Sequence, residues 1–148
     1  MEAMKIEIDR NIYARMENAA RKLAPLEACG LCGGKDGRVT QFYELTNVDA
    51  SAEHFSMKPE EQFAAIKDMR ANGLRMLAIW HSHPASPARM SQEDLRLAYT
   101  PDVVYLILSL AKPDAPDLRG YAIENGRPVP IGVAVGADSG CVGDGRVD

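Results

Sequence analysis

A chain of 148 residues suffices for one domain whose core needs no disulfide or structural metal. Its hydrophobic share of 46% is that of a globular protein, and a net charge of −4 without any run of Lys or Arg excludes an electrostatic grip on nucleic acid. Three cysteines, no secretory apolar stretch and no apolar run of transmembrane length predict a reducing, cytoplasmic setting with no membrane partner.

The opening Met1-Glu2-Ala3-Met4-Lys5 leaves Met1 and Met4 as alternative starts. Lys5 to Ile8 alternates and predicts a strand. Asp9 is placed to cap a helix over Arg10 to Leu23, in which Ile12, Met16, Ala19, Ala20 and Leu23 form one apolar stripe. Pro25 breaks it. Cys29 to Gly33 and Arg38 to Leu45 read as strands joined through Lys35-Asp36-Gly37, and Asp-Gly is a strong hairpin signal. Asn47 to Phe55 is loop-like, with His54 expected at or near the surface. Ser56-Met57-Lys58-Pro59 leads into a helix to about Ala71, with Phe63, Ile66 and Met69 expected inward, and Asn72-Gly73 ends it.

Met76-Leu77-Ala78-Ile79-Trp80 suits a strand buried on both faces. His81 and His83 continue it with one residue between them, so both imidazoles face the same way. Pro84 ends the pairing. After a loop from Ala85 to Met90, Ser91-Gln92-Glu93-Asp94 opens a short helix through Leu95, Leu97 and Ala98. Val103 to Leu110 follows as a core strand, then Leu118 to Glu124, a turn at Asn125-Gly126, and Val129 to Val135. The expected domain is 1–135; residues 136–148, Gly-rich and polar and holding Cys141, are expected to be a flexible tail. Strands interleaved with helices imply an α/β (α+β) fold with one mixed sheet flanked by helices.

Two imidazoles and a carboxylate at the spacing H-S-H-P-x6-S-x-x-D can hold one zinc ion and leave a position open. An ion held that way lowers the pKa of water to about 7 and polarises carbonyls, which is hydrolytic chemistry. Ser91 and Asp94 also make a plain helix-capping signature, compatible with ligation. Hydrolysis needs a base, and Glu27, between a helix end and a glycine-containing strand, is a candidate. Cys29-x-x-Cys32 has the spacing of a thiol redox pair or half a structural zinc site, but no second pair accompanies it; two small hydrophobes in a buried strand is the simpler account.

His81-Ser82-His83-Pro84, Ser91 and Asp94, preceded by Glu27 in Pro25-x-Glu27-x-Cys29-Gly30-Leu31, resemble the JAMM (MPN-plus) metallopeptidases in motif order and spacing. The resemblance covers about Lys5 to Val135. It implies a curved mixed sheet with helices around it, similar to the cytidine deaminase arrangement. It implies one Zn2+ per chain on His81, His83 and Asp94, Glu27 as general base, and Ser91 donating to the oxyanion. Cys32 stands where the family has a larger apolar residue. The deaminases need H-x-E and P-C-x-x-C, and neither is present.

The family hydrolyses bonds at the C-terminus of ubiquitin-like proteins. Short bacterial members, which this chain resembles most, act on ThiS/MoaD-type sulfur carriers ending in Gly-Gly, releasing cysteine or a short extension. The expected partner is therefore a small ubiquitin-like carrier whose tail lies along an exposed strand edge; a homodimer is neither required nor excluded. Another JAMM-type amidase acting on cell-wall or phage-tail peptides, and a non-catalytic interaction module, are the alternatives. The intact ligand set argues against the second.

Overall fold

The computed structural model describes residues 5–136. Ten elements follow in order: β1 (Lys5–Asp9), α1 (Arg10–Leu23), β2 (Cys29–Lys35), β3 (Arg38–Leu45), α2 (Pro59–Ala71), β4 (Arg75–His83), α3 (Gln92–Leu97), β5 (Val104–Ser109), β6 (Asp117–Glu124) and β7 (Arg127–Gly136). Gly136 thus belongs to β7 and not to the expected tail. The rest of that tail, with Cys141, and the choice between Met1 and Met4 lie outside the described residues.

The seven strands close into a barrel in the order β1-β3-β2-β4-β5-β6-β7. β1 runs parallel to both β3 and β7, and β4 parallel to β5; the remaining pairs are antiparallel. Among the described residues every strand has two neighbours, but β1 pairs with β3 only at Arg38 and Val39, so β3 beyond Val39 has a strand partner on one side alone, β2. Among the described residues no helix is long and apolar enough to cross a membrane.

Two tight turns set the hairpins. Asp36 and Gly37 both have positive φ, 51° and 76°, as do Asn125 and Gly126, 54° and 76°. That is the turn whose twist matches antiparallel strands. At Gly34, beside a register shift in β2, a Cβ would lie 1.8 Å from the Arg38 carbonyl oxygen, so only glycine lets β3 approach there.

Alternation along β2 and β4 divides the interior. Cys32, Ala78 and Trp80 face the α1 side, in a core with Ile6, Ile8, Ile12, Met16, Phe42, Leu106 and Leu108. Trp80 meets Phe42 edge-on at 5.3 Å. Leu31 and Ile79 face the other way, toward Ala65 and Met69 of α2. His81 and His83 share the parity of Ile79 and so open on the α2 side.

Two expectations are corrected. Phe63 is not inward but 68% exposed. At 100° per residue it lies opposite Ala65, and α2 turns Ala65 and Met69 to the sheet, with Met69 seated over Gly33. Asp9 stands at the N-cap of α1 but makes no side-chain cap; its buried carboxylate accepts instead from Arg38 Nε at 2.6 Å. The α1 stripe is as expected: Ile12, Met16, Ala19 and Ala20 are buried and Leu23 packs against them.

Candidate active site

The end of β4 brings His81 and His83, 2% and 4% exposed, to one face. Ser82 between them points the opposite way and is bonded to the segment after Glu27. Its Oγ accepts from Ala28 N–H at 2.8 Å, and its own N–H donates to the Ala28 carbonyl at 2.9 Å. Cys29 pairs with His81 in register, which seats the end of the Glu27 segment beside the ligand strand.

The loop after His83 folds back because β5 and β6 hold it. Ser109 Oγ donates to the Ser86 carbonyl at 2.6 Å, and Tyr121 Oη donates to the Ala88 carbonyl at 2.6 Å over a small apolar cluster of Ala88, Ile107 and Tyr121. This delivers Ser91 to the N-cap of α3 and Asp94 to its third position. Both arms of a capping box are present: Ser91 Oγ accepts from Asp94 N–H at 3.0 Å, and Asp94 Oδ2 accepts from Ser91 N–H at 2.9 Å. Asp94 is the only buried residue of that helix.

Three side chains then converge. His81 Nε2 lies 3.1 Å from His83 Nε2 and 3.3 Å from Asp94 Oδ1, and His83 Nε2 lies 3.0 Å from Asp94 Oδ2. A tetrahedral zinc with bonds of roughly 2.0–2.1 Å has ligand–ligand edges of roughly 3.3 Å, so this triangle has the right size. His83 Nδ1 sits 2.8 Å from the Pro87 carbonyl and must donate to it, which turns the lone pair of Nε2 inward. Two ring nitrogens and a carboxylate facing one another at these distances are compatible with a cation between them. Burial lowers the His81 pKa; for Asp94 burial acts upward, but hydrogen bonds that His81 and His83 donate when protonated outweigh it and hold the carboxyl far below the usual range.

Glu27, 2% exposed, stands behind this triangle, its carboxylate within 4.8 Å of the nitrogens of both histidines. One water fits such a separation, through two hydrogen bonds of roughly 2.8 Å meeting at an angle. Asp94 is the nearer carboxylate to the two ring nitrogens. Burial pushes the Glu27 carboxyl up to about 8, against the pull of His83. Its Oε1 is buried without a hydrogen-bond partner.

The structure therefore brings together all five residues singled out in the sequence: Glu27, His81, His83, Ser91 and Asp94. It also supplies three that sequence reasoning missed. Phe55 stacks on the His81 ring at 4.7 Å, Ser82 anchors Ala28, and Asn47 bonds to the Glu27 carbonyl. Only Ser82 carried a signal, since strand alternation puts it opposite the histidines. His54 lies on the surface side of the site, paired with Asp49 at 2.9 Å. The two strand cysteines are no pair. Three residues apart in β2, they point to opposite faces: Cys32 lies in the core, and Cys29 Sγ is 3.7 Å from the Leu45 carbonyl. Burial pushes the Cys29 thiol up to about 12, an inert state.

The model of a family described as prokaryotic homologs of the JAB domain matches residues 9–123. The CysO-cysteine peptidase of Mycobacterium tuberculosis is 33% identical over 109 residues, 72% of this chain and 75% of that protein. A protein of Desulfitobacterium hafniense solved in solution superposes with a TM-score of 0.83 at 44% identity, over 90% of this chain and 94% of that one. A JAB1/MPN domain protein from Archaeoglobus fulgidus superposes with a TM-score of 0.59 over 88% of this chain and 98% of that one; at 20% identity it shows the shared fold alone. With the motif, the fold and the extent of these matches in agreement, the chain belongs to the prokaryotic JAB branch of the JAMM metallopeptidases.

Proposed function

We propose that the protein is a zinc peptidase that hydrolyses the amide bond after the C-terminal Gly-Gly of a small ubiquitin-like sulfur carrier, releasing cysteine or a short extension. The observation that carries this is the convergence of His81, His83 and Asp94 at 3.0–3.3 Å with the buried Glu27 behind them. The name of the M. tuberculosis relative, a CysO-cysteine peptidase, supports the cysteine-releasing form. Beside His81 and Asp94 lies a cavity of about 30 Å³ walled by Phe55, Met90, Leu97 and Tyr105. It shares Phe55, Leu97 and Tyr105 with a groove of about 440 Å³ that runs on past Met57, Ile66, Met76 and Ile79. That groove offers an extended tail a route to the site.

His81, His83 and Asp94 would hold the zinc, which supplies Lewis acidity toward the scissile carbonyl and toward water. Glu27 takes the proton of the attacking water and returns it to the leaving amine. A carboxyl raised by burial to about 8 is suited to both halves of that exchange at neutral pH. Ser91 Oγ spends a lone pair on Asp94 N–H and keeps its O–H, which donates to the oxyanion.

The test is mass spectrometry of a Gly-Gly carrier bearing a C-terminal cysteine, incubated with the zinc-loaded protein or with its Glu27→Gln variant. The wild type should remove one cysteine; the variant should be slower by roughly 10²-fold or more. A fully active variant removes Glu27 from the mechanism. An inert wild type with one zinc per chain and an intact fold sinks the carrier reading.

A further inference from the structure

Glu27 has an unusual problem for a base. Its carboxylate Oε1 is buried with no hydrogen-bond partner, so no bond to that oxygen orients it. How its backbone is held therefore bears on where it points. Both backbone polar groups of Glu27 are held by one loop, the segment between β3 and α2. Its N–H donates to the Ser51 carbonyl at 2.8 Å, and its carbonyl accepts from Asn47 Nδ2 at 3.0 Å.

Asn47 is itself 7% exposed, and its amide is fully used. Nδ2 donates a second time, to the His54 carbonyl at 3.1 Å, and Oδ1 accepts from Asp49 N–H at 3.1 Å and Ser56 N–H at 3.2 Å. An amide offers two donors and two acceptor positions, and all four are matched. The two sides do different work. The acceptor side closes the loop upon itself. The donor side reaches across 20 residues to Glu27 and also fixes the carbonyl before Phe55, the ring stacked on His81.

We propose that Asn47 is a positioning residue for catalysis: its amide donors fix the backbone of Glu27 and the Phe55 cover of His81 in one setting. The inference rests on the reading of Glu27 as the base. It assigns to the loop a part in rate, beyond its part in folding. A base misplaced by about 1 Å loses much of its effect, on the order of 10²-fold.

Asn47→Asp separates the two sides, because it keeps the acceptors and replaces the donors by an oxygen that repels the Glu27 carbonyl. In the zinc-loaded protein, the Asp49 and Ser56 amides should keep their protection from hydrogen exchange, whereas the Glu27 amide should exchange roughly tenfold faster or more. With the carrier substrate kcat should fall roughly 10- to 100-fold, KM should change little, and one zinc should remain bound. On the Glu27→Gln background the same substitution should cost almost nothing more, since the residue acts through Glu27. Unchanged Glu27 protection, wild-type kcat, or a full further loss on the Glu27→Gln background would each overturn the proposal. Asn47→Ala should release the Asp49, Ser56 and Glu27 amides together; should it fail to fold, Asn47→Asp still decides. If the wild type turns over no carrier, the functional reading falls, and the exchange of the Glu27 amide alone decides whether Asn47 holds it.

Discussion

Ser91 does two things with one oxygen. As N-cap it accepts from Asp94 N–H, which orients the ligand carboxylate; with its free hydrogen it can donate outward. The two roles separate by measurement. Ser91→Ala should cost roughly 1 kcal/mol of stability through the lost cap. It should retain one zinc per chain, because Asp94 keeps its contacts with both histidines. Its kcat should fall by roughly 10²–10³ if the hydroxyl serves the oxyanion. Metal analysis, chemical denaturation and carrier turnover on the same sample check this, and a stability loss with unchanged kcat would leave Ser91 a cap alone. The H-x-H pair was legible at this scale because strand alternation is local. Asn47 was not: an asparagine opening a loop looks like any other turn residue until its partner 20 positions away is known.

The element that makes the site is the loop from Pro84 to Met90, together with the strands that pin it. The sequence predicts that a helix follows the loop, and the capping box marks where; how the loop returns depends on β5 and β6. Tyr121 Oη on the Ala88 carbonyl is the buried pin. Tyr121→Phe should cost roughly 1 kcal/mol of stability. Because the loop sets Asp94 against the histidines, zinc affinity should also weaken, by roughly tenfold, as seen when the supports of metal ligands are removed. Competition with a chromophoric chelator reads this directly, and unaltered affinity would show that α3 holds its place without the pin. Helix α2 teaches the opposite lesson. Its apolar residues admit two stripes, Phe63-Ile66-Met69 or Ala65-Met69, and the larger side chain did not win. Gly33 in the facing strand leaves room for Met69 and thereby selects the second.

Across the whole molecule, the site is a junction of four segments: the Glu27 turn, the 47–57 loop, the end of β4 and the start of α3. An ion bound there ties them together only in the folded state, so it must stabilise the protein by mass action. With free zinc at about 100 times Kd the gain is roughly 2.7 kcal/mol. For a domain of this size that is a rise in Tm of roughly 5–10 °C. Calorimetry with zinc and with chelator should show it, and His81→Ala should abolish the difference while leaving the metal-free Tm close to that of the wild type. A zinc-dependent shift that survives His81→Ala would locate the ion elsewhere.

What the sequence by itself determined is what local periodicity can encode. Alternation marked the strands, the 3.6-residue stripe marked α1, Asp-Gly and Asn-Gly marked the hairpins, and the H-x-H and S-x-x-D spacings marked the residues proposed as ligands. Tertiary structure alone decided the rest, because each remaining feature is a relation between segments far apart in the chain. Closure of β1 on β7 joins the two ends of the sheet. The register of β2 against β4 brings the Glu27 turn to the histidines. Packing against Gly33 chooses the inward face of α2, and the amide of Asn47 reaches across 20 residues to the backbone of Glu27.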